Sequence, residues 1–250
     1  DPLLMRRAFE LALAAGNEQL AYTMADRLAV GDGYEPTVSL VLATRAVKQR
    51  NWKAFEAQGT ALAEAGYGGF ALPIMQAWVL HERGRHARAL ELLAQPSSDP
   101  FAASYMTEHR GHLLAADRKW ADAATAFGQL LSGNTGQNPR LRVALARALQ
   151  GDNRRAEAKR ILDTGDRDPL LDRATEALLA GQPIEAGPQT AADGIAALYT
   201  RMSADLSRER ATPIALVLAR LATMLAPESA DAKLATAAVL ARGGQYEPAI

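Results

Sequence analysis

The sequence predicts an all-α fold, a solenoid of antiparallel helix hairpins, and three observations support this prediction. The composition is dominated by Ala, Leu and Arg, which are strong helix formers. The alternating runs of β-branched residues that are typical of strands are absent from the sequence. A small or apolar residue also recurs about every 34 residues, which is the length of a stacked helix–turn–helix unit.

The period is set by one position early in the second helix of each hairpin. In the first five hairpins, the successive spacings of this position are 34, 34, 34 and 33 residues. The residues that occupy it are Ala21, Phe55, Ala89, Ala123 and Ala156. Further along the chain, Ala215 and Ala249 are again 34 residues apart. Five units in the same phase favour a repeat protein over an ordinary globular domain.

Other residues keep this phase and mark where helices end, cross and begin. Glycine, which adopts the left-handed backbone conformation without a steric clash, precedes the second helix at Gly16, Gly84, Gly151 and Gly244. Small residues twelve positions before the phase position allow the two helices of a hairpin to cross closely. These small residues are Ala43, Ala77, Gly111, Ala144 and Ala237. New helices are expected to start at Asp99-Pro100, Asn138-Pro139 and Asp168-Pro169.

The repeats divide the chain into three segments. Residues 1–167 hold five hairpins, 168–190 form an irregular helix and loop, and 191–250 hold further repeats, the last of which is truncated. The predicted helix pairs of the first segment are 2–15 with 17–30, 36–49 with 52–65, 73–83 with 86–94, 100–115 with 119–131 and 139–149 with 154–162. The glycines and prolines within 181–188 stop a helix, so this stretch is either a bend between two superhelical segments or a surface loop. The truncated last repeat leads us to expect a fragment of a longer protein.

The motif Ala123-x-x-x-Phe127, together with Gly111 and the period, resembles the tetratricopeptide repeat family, and the resemblance covers nearly the whole chain. Two residues depart from the family pattern, since Phe55 replaces the usual Ala and Gly59 replaces the usual aromatic residue. The resemblance implies a right-handed superhelix. It also implies that a concave groove, lined by the first helix of each hairpin, holds an extended peptide or a partner helix.

Groove positions transferred from the family form the candidate binding site. Trp78 is a candidate hot spot because Trp supplies a large contact area and a hydrogen-bond donor; the alternative is that it packs between neighbouring first helices. His109 and His112 have an i, i+3 spacing that suits a shared metal ion, with Glu108 as a third ligand. The favoured interpretation of these histidines is a polar lining that gains charge near pH ~6, without a metal. The predicted groove residues are Trp78, His81, Tyr105, Glu108, His109, His112, Arg6, Glu10 and Thr44.

Several classes of function are excluded by features that the sequence lacks. Lys and Arg number 28, as do Asp and Glu, so a broad basic surface for nucleic acid is not expected. Without Cys there is no disulfide, thiolate metal site or cysteine nucleophile. Neither a phosphate-binding glycine loop with Lys nor a Gly-x-Ser-x-Gly elbow occurs, so we expect no enzyme and no cofactor. No apolar run approaches the ~20 residues that span a bilayer, so membrane insertion is not expected.

The predicted function is a scaffold that binds a peptide or a partner-protein segment in the concave groove. Some members of the family clamp a C-terminal carboxylate with Lys, Asn and Arg, but Arg6, Glu10 and Val41 stand at those places here. The alternative function is a structural module that forms homo-oligomers or packs on the rest of its own chain. Degenerate repeats rich in Ala and Arg are typical of bacterial proteins of high genomic GC content. Because such proteins are often exported, we expect the cell envelope or periplasm over the cytoplasm.

Overall fold

The structure of the chain is a computed structural model that describes residues 1–30, 36–66, 69–132, 138–164, 168–185, 187–208 and 212–244. Within these ranges the structure contains helices and no strand, so the predicted all-α fold is confirmed. The first helices are α1 (Pro2–Ala15), α2 (Glu18–Leu28), α3 (Pro36–Lys48), α4 (Trp52–Glu56), α5 (Gly59–Glu64), α6 (Ala71–Glu82), α7 (His86–Leu93) and α8 (Pro100–Ala116). The helices that follow are α9 (Trp120–Leu131), α10 (Pro139–Gly151), α11 (Arg155–Asp163), α12 (Pro169–Leu179), α13 (Ala191–Leu206), α14 (Pro213–Leu225) and α15 (Ala230–Arg242). Ala249 and the second helix of the last repeat lie outside the described residues.

Helix starts follow from the side chains that precede them. Asp99, Asn138 and Asp168 each accept a hydrogen bond from a backbone N–H in the first turn of the helix, and proline follows each of them. Such a cap satisfies a backbone donor that has no partner within the helix, and it contributes about 1 kcal/mol. The predicted starts of α8, α10 and α12 are therefore confirmed.

The second helix of hairpin two is interrupted, contrary to the single helix predicted over 52–65. The structure has two short helices here, α4 and α5, and Ala57 and Gln58 lie between them. The interruption precedes Gly59, and no atom lies within 4 Å of the place where a Cβ of this glycine would be. Glycine in a helix is about 1 kcal/mol less favourable than alanine, and it offers no side chain to pack against the neighbouring helix. The departure from the family pattern at Gly59 thus directly follows the break.

The glycines at the hairpin turns act in two different ways. Gly16, Gly84 and Gly244 have φ values of 72°, 75° and 74°, which is the left-handed conformation that the sequence predicts. Gly151 is not among the positive-φ residues and instead lies in the last turn of α10. A Cβ at Gly151 would overlap the indole ring of Trp120. The turn role predicted for Gly151 is therefore wrong, and close approach of an aromatic ring is the physical reason for a glycine there.

The crossing of α8 and α9 depends on the small residue that the sequence predicts at Gly111. A Cβ at this position would lie 2.9 Å from Cε1 and Cζ of the Phe127 ring, which is closer than side chains pack. Phe127 itself is fully buried. The absence of a Cβ at Gly111 thus allows the Phe127 ring to contact the backbone of α8.

The chain forms two compact units, and only one of them is continuous in sequence. Unit 1 consists of Asp1–Met75 with Ala191–Ile250, and unit 2 consists of Gln76–Thr190. Unit 1 thus combines residues from the first and third segments predicted from the sequence, whereas the predicted division into repeats stays a prediction. No helix of the described ranges is long and apolar enough to cross a membrane.

In unit 1, helices from distant parts of the sequence pack together. Helix α14 contacts α1 and α3, and α13 contacts α3. Arg220 of α14 donates from Nε and Nη2 to the carbonyl oxygen of Ala14, at 3.2 and 2.9 Å. A cation at the carbonyl end of a helix is favourable, because the last carbonyls of α1 have no partner within the helix. Helices α13 and α14 therefore cover faces of α1 and α3.

In unit 2, one core cluster is formed by α8, α9, α10, α11 and α12 and includes Phe127, Leu145 and Ile184. Gln150 of α10 binds the segment after α12 through two hydrogen bonds. Its side chain donates to the carbonyl oxygen of Gln182 and accepts from the N–H of Ile184. These bonds measure 2.8 and 2.9 Å, and Ile184 is 3% exposed. The described part of 181–188 is thus held against α10 despite its lack of helical structure.

We predict that Gly111→Ala destabilises the protein by about 1–3 kcal/mol, because the new methyl group overlaps the buried Phe127 ring. Urea unfolding followed by circular dichroism measures this change. Gly128→Ala is the matched control in the same hairpin, since no atom lies within 4 Å of a Cβ there. This control is expected to stabilise α9 by about 0.5–1 kcal/mol. Equal stabilities of Gly111→Ala and the wild type would show that the close crossing is not a constraint.

Candidate functional site

The residues predicted to line a groove are mostly buried. Trp78, Tyr105 and Thr44 are 0% exposed, and the other members of the predicted patch in unit 2 are buried or nearly so. Only Arg6 and Glu10, on α1, are exposed. In this structure the predicted patch is therefore largely interior.

Five of the predicted residues come together in unit 2 as a buried polar cluster. They are Trp78, His81, Glu108, His109 and His112. Trp78 donates from Nε1 to Nδ1 of His109 at 3.0 Å, so its hydrogen-bond donor is used inside the protein. The rings of His109 and His112 lie 6.1 Å apart, and Glu108 Oε1 lies 4.0 Å from His112 Nε2. The sequence thus predicts the proximity of these residues, and the structure shows that their side chains face the interior.

Thr44 belongs to unit 1, whereas this cluster belongs to unit 2. Its hydroxyl donates to the hydroxyl of Tyr199 at 3.5 Å, and Tyr199 is 1% exposed in α13. The face of α3 that carries Thr44 is therefore covered by a helix of the same chain.

An open cavity of about 390 Å³ lies elsewhere in unit 2. Its walls come from the end of α8, the starts of α9 and α11, the second half of α10 and the segment after α12. Arg118, Arg147 and Arg155 are among the lining residues, and no Asp or Glu lines it in the described part of the chain. Trp120 and Ile184 supply apolar surface to the same walls. The three arginines therefore give the lining of this cavity a positive charge.

Arg147 is the most unusual residue of the cavity. It is 7% exposed, and its Nε and Nη2 atoms have no hydrogen-bond partner among the described residues. Burial lowers the pKa of its guanidinium to about 10, still well above neutral pH, so the group stays charged. Gly187 allows the segment after α12 to run directly against this guanidinium, because a Cβ there would overlap it.

Sequence reasoning missed Arg147, although a weak signal for it exists. The residue lies between Ala146 and Ala148 in a run of α10 that is buried on both sides, with Leu145 and Leu149 flanking it. Arginine head groups are almost always in water, so an arginine between alanines of a helix is usually placed at the surface. Its burial is visible only once the segment after α12 is positioned.

His112 illustrates how burial changes the chemistry of the predicted patch. Burial holds the pKa of His112 well below 6.5, and repulsion from His109, Arg147 and Arg140 lowers it further. The imidazole is therefore neutral in the folded protein at neutral pH. The expectation that the patch gains charge near pH ~6 is wrong for His112, because the interior disfavours the charged form.

We predict that His112 contributes to acid sensitivity. The unfolded chain takes up a proton at this residue below pH ~6.5 while the folded chain resists it, so the free energy of unfolding falls as the pH drops. In His112→Gln this loss is smaller than in the wild type, by up to about 1.4 kcal/mol per pH unit. Urea unfolding at about pH 7.5 and pH 5 measures the difference. Identical pH dependence of the two proteins would show that folded His112 accepts the proton.

Comparison with known proteins gives the chain its family. The model of the tetratricopeptide repeat-like domain matches residues 6–151, which contain most of α1 and all of α2–α10. No curated protein matches the chain. Domains of this kind typically bind protein partners, and the family is generally non-catalytic. Because the match spans more than half of the chain, the protein belongs to the tetratricopeptide repeat-like domain family, whose general role is protein interaction or scaffolding.

Proposed function

We propose that the protein is a scaffold that binds an acidic segment of a partner protein, with a carboxylate of that segment in the arginine-lined cavity of unit 2. The observation that carries this proposal is the buried guanidinium of Arg147, two of whose nitrogens have no hydrogen-bond partner among the described residues. A charge removed from water costs several kcal/mol unless a counter-ion compensates for it. A carboxylate that enters the cavity is such a counter-ion.

The chemistry of arginine supports a carboxylate ligand. The planar guanidinium presents a fixed fork of N–H donors that matches the two oxygens of a carboxylate. Arg118 and Arg155 line the same cavity and are exposed, so they add positive potential along the approach of an anion. The volume of the cavity suits a few side chains and not a whole domain. A short acidic segment of a protein partner fits both the family and the cavity.

The proposed binding site for the partner segment is a different place from the groove predicted from the sequence. Trp78, Tyr105 and Thr44 are fully buried, so a peptide at these residues would have to displace packed side chains. The cavity is already open to solvent, and its exposed residues Arg118 and Arg155 can receive a ligand without displacement of packed side chains. The concave groove as the binding place stays a prediction, whereas the two nitrogens of Arg147 that lack hydrogen-bond partners among the described residues favour the cavity.

We predict that acidic peptides bind and that Arg147→Met weakens their binding at least about tenfold, because a charge-assisted hydrogen bond is lost. Fluorescence anisotropy with a library of Asp- and Glu-rich peptides, beside matched Asn and Gln peptides, measures the affinity. Arg160→Met is the control, since Arg160 lies exposed on α11 and does not line the cavity. Equal binding by Arg147→Met and the wild type would place the ligand elsewhere. Equal affinity for the acidic peptides and the matched amide peptides would show that binding does not require a carboxylate.

We predict that the same substitution stabilises the protein in the absence of ligand. Methionine keeps an apolar stem in the cavity wall and removes a buried charge without a counter-ion, so the gain is about 1 kcal/mol or more. Thermal and urea unfolding of Arg147→Met and the wild type measure it. A bound acidic peptide should then stabilise the wild type more than the variant. A less stable variant would mean that the guanidinium already has a favourable partner.

A structural role, in which the chain forms homo-oligomers or packs on the rest of its own chain, is the second candidate function. It is favoured by unit 1, where α13 and α14 contact α1 and α3 and Arg220 binds the end of α1. The test is the mass in solution at increasing protein concentration, measured by light scattering. A defined oligomer without any peptide binding would favour this role over the acidic-segment scaffold.

A further inference from the structure

We infer that His81, His86 and Asp117 of unit 2 form a binding site for one divalent transition-metal ion of the Zn²⁺ type. This site shares no residue with the lining of the arginine-lined cavity, and the inference does not depend on the proposed function. It also differs from the set of His109, His112 and Glu108 considered from the sequence.

The three residues come from the ends of three helices. His81 lies in the last turn of α6, His86 begins α7, and Asp117 follows the last residue of α8. Gly84, with φ of 75°, turns the chain between α6 and α7 so that the two histidines face each other. Their rings lie 4.4 Å apart at an angle of 76°. The ends of three helices thus bring these three side chains together. Their spacing in the sequence does not match a known metal-binding motif.

The ligand atoms are already close enough to share an ion. His81 Nε2 lies 2.9 Å from Asp117 Oδ1, and His86 Nδ1 lies 2.6 Å from the same oxygen. All three atoms lie within 4.8 Å of one another. In a tetrahedral site with metal–ligand distances of about 2.0–2.2 Å, neighbouring ligand atoms are roughly 3.3–3.6 Å apart. Small side-chain rotations, without movement of the helices, therefore create the coordination geometry.

The chemistry of the set favours zinc-like ions over magnesium or calcium. Two imidazole nitrogens and one carboxylate oxygen suit Zn²⁺, whereas Mg²⁺ and Ca²⁺ prefer oxygen ligands. Asp117 Oδ2 is buried without a hydrogen-bond partner among the described residues, although the ammonium of Lys119 lies 4.0 Å away. This second oxygen leaves the carboxylate able to bind an ion through either atom or both.

Access and burial are both suitable for an ion. His81 and Asp117 are 8% and 10% exposed, so the bonds to the ion are shielded from water on the inner side. The side chain of His86 is 47% exposed, which leaves an entry path and room for a fourth ligand from solvent. A bound ion would tie the α6–α7 turn to the end of α8, and binding to the folded state alone would stabilise the protein.

The test uses the full chain, without a histidine tag and after treatment with EDTA. Isothermal titration calorimetry with Zn²⁺ is expected to show one ion per chain with a micromolar Kd. Calorimetric unfolding with excess Zn²⁺ is expected to show a rise in Tm of about 3 °C or more, and Mg²⁺ is expected to cause none. If Zn²⁺ produces no heat of binding and no shift in Tm, the inference is overturned.

Two variants and a control locate the ion. His86→Gln and Asp117→Asn are expected to weaken Zn²⁺ binding at least about tenfold, as the loss of a ligand requires. His112→Gln is the control and is expected to bind Zn²⁺ as the wild type does. His86 is half exposed, so His86→Gln decides the question if Asp117→Asn fails to fold. Unchanged affinity in His86→Gln, or lost affinity in His112→Gln, would contradict the assignment.

Discussion

The close contact between an aromatic ring of one helix and the bare backbone of the next is the constraint on which unit 2 depends. Phe127 lies against Gly111 and Trp120 lies against Gly151, and neither glycine has room for a Cβ. Protein interiors are packed as densely as organic crystals, so an added methyl group at such a crossing cannot be absorbed without movement. These contacts set the separation of α8 from α9 and of α9 from α10, and with it the positions of the helix ends that carry Asp117, Trp120 and Arg118.

Local features of the fold were predictable from the sequence because their causes are local. The cap of α8 involves only Asp99 and the turn that follows it, and the turn at Gly16 needs only a left-handed glycine. The make-up of unit 1 was not predictable in this way. Thr44 and Tyr199 are 155 residues apart, and Arg220 and Ala14 are 206 apart. Nothing within one repeat period specifies which distant helix covers α3.

The candidate sites show the same limit at the level of side chains. The sequence correctly predicts that Trp78, His81 and His109 lie near one another, since one period separates their helices. Exposure depends on what packs over those helices, and the repeat pattern does not contain that information. Arg147 shows the opposite error. A charged residue is predicted to be exposed to water unless the segment that packs over it is known. The segment after α12, which lacks helical periodicity, is part of what packs over Arg147.

The discontinuity of unit 1 affects the order in which the protein folds as it is synthesised. Residues 1–75 are synthesised before residues 76–190, but the helices that complete their unit begin only at Ala191. At about 5–20 residues per second, the roughly 115 intervening residues take on the order of 6–23 seconds to add. During that interval the apolar faces of α1 and α3 that α13 and α14 later bury are exposed to solvent. Unit 2 meanwhile forms from contacts that are close in sequence. A cell that makes this protein therefore has to protect these first helices from aggregation until α13 and α14 have been synthesised.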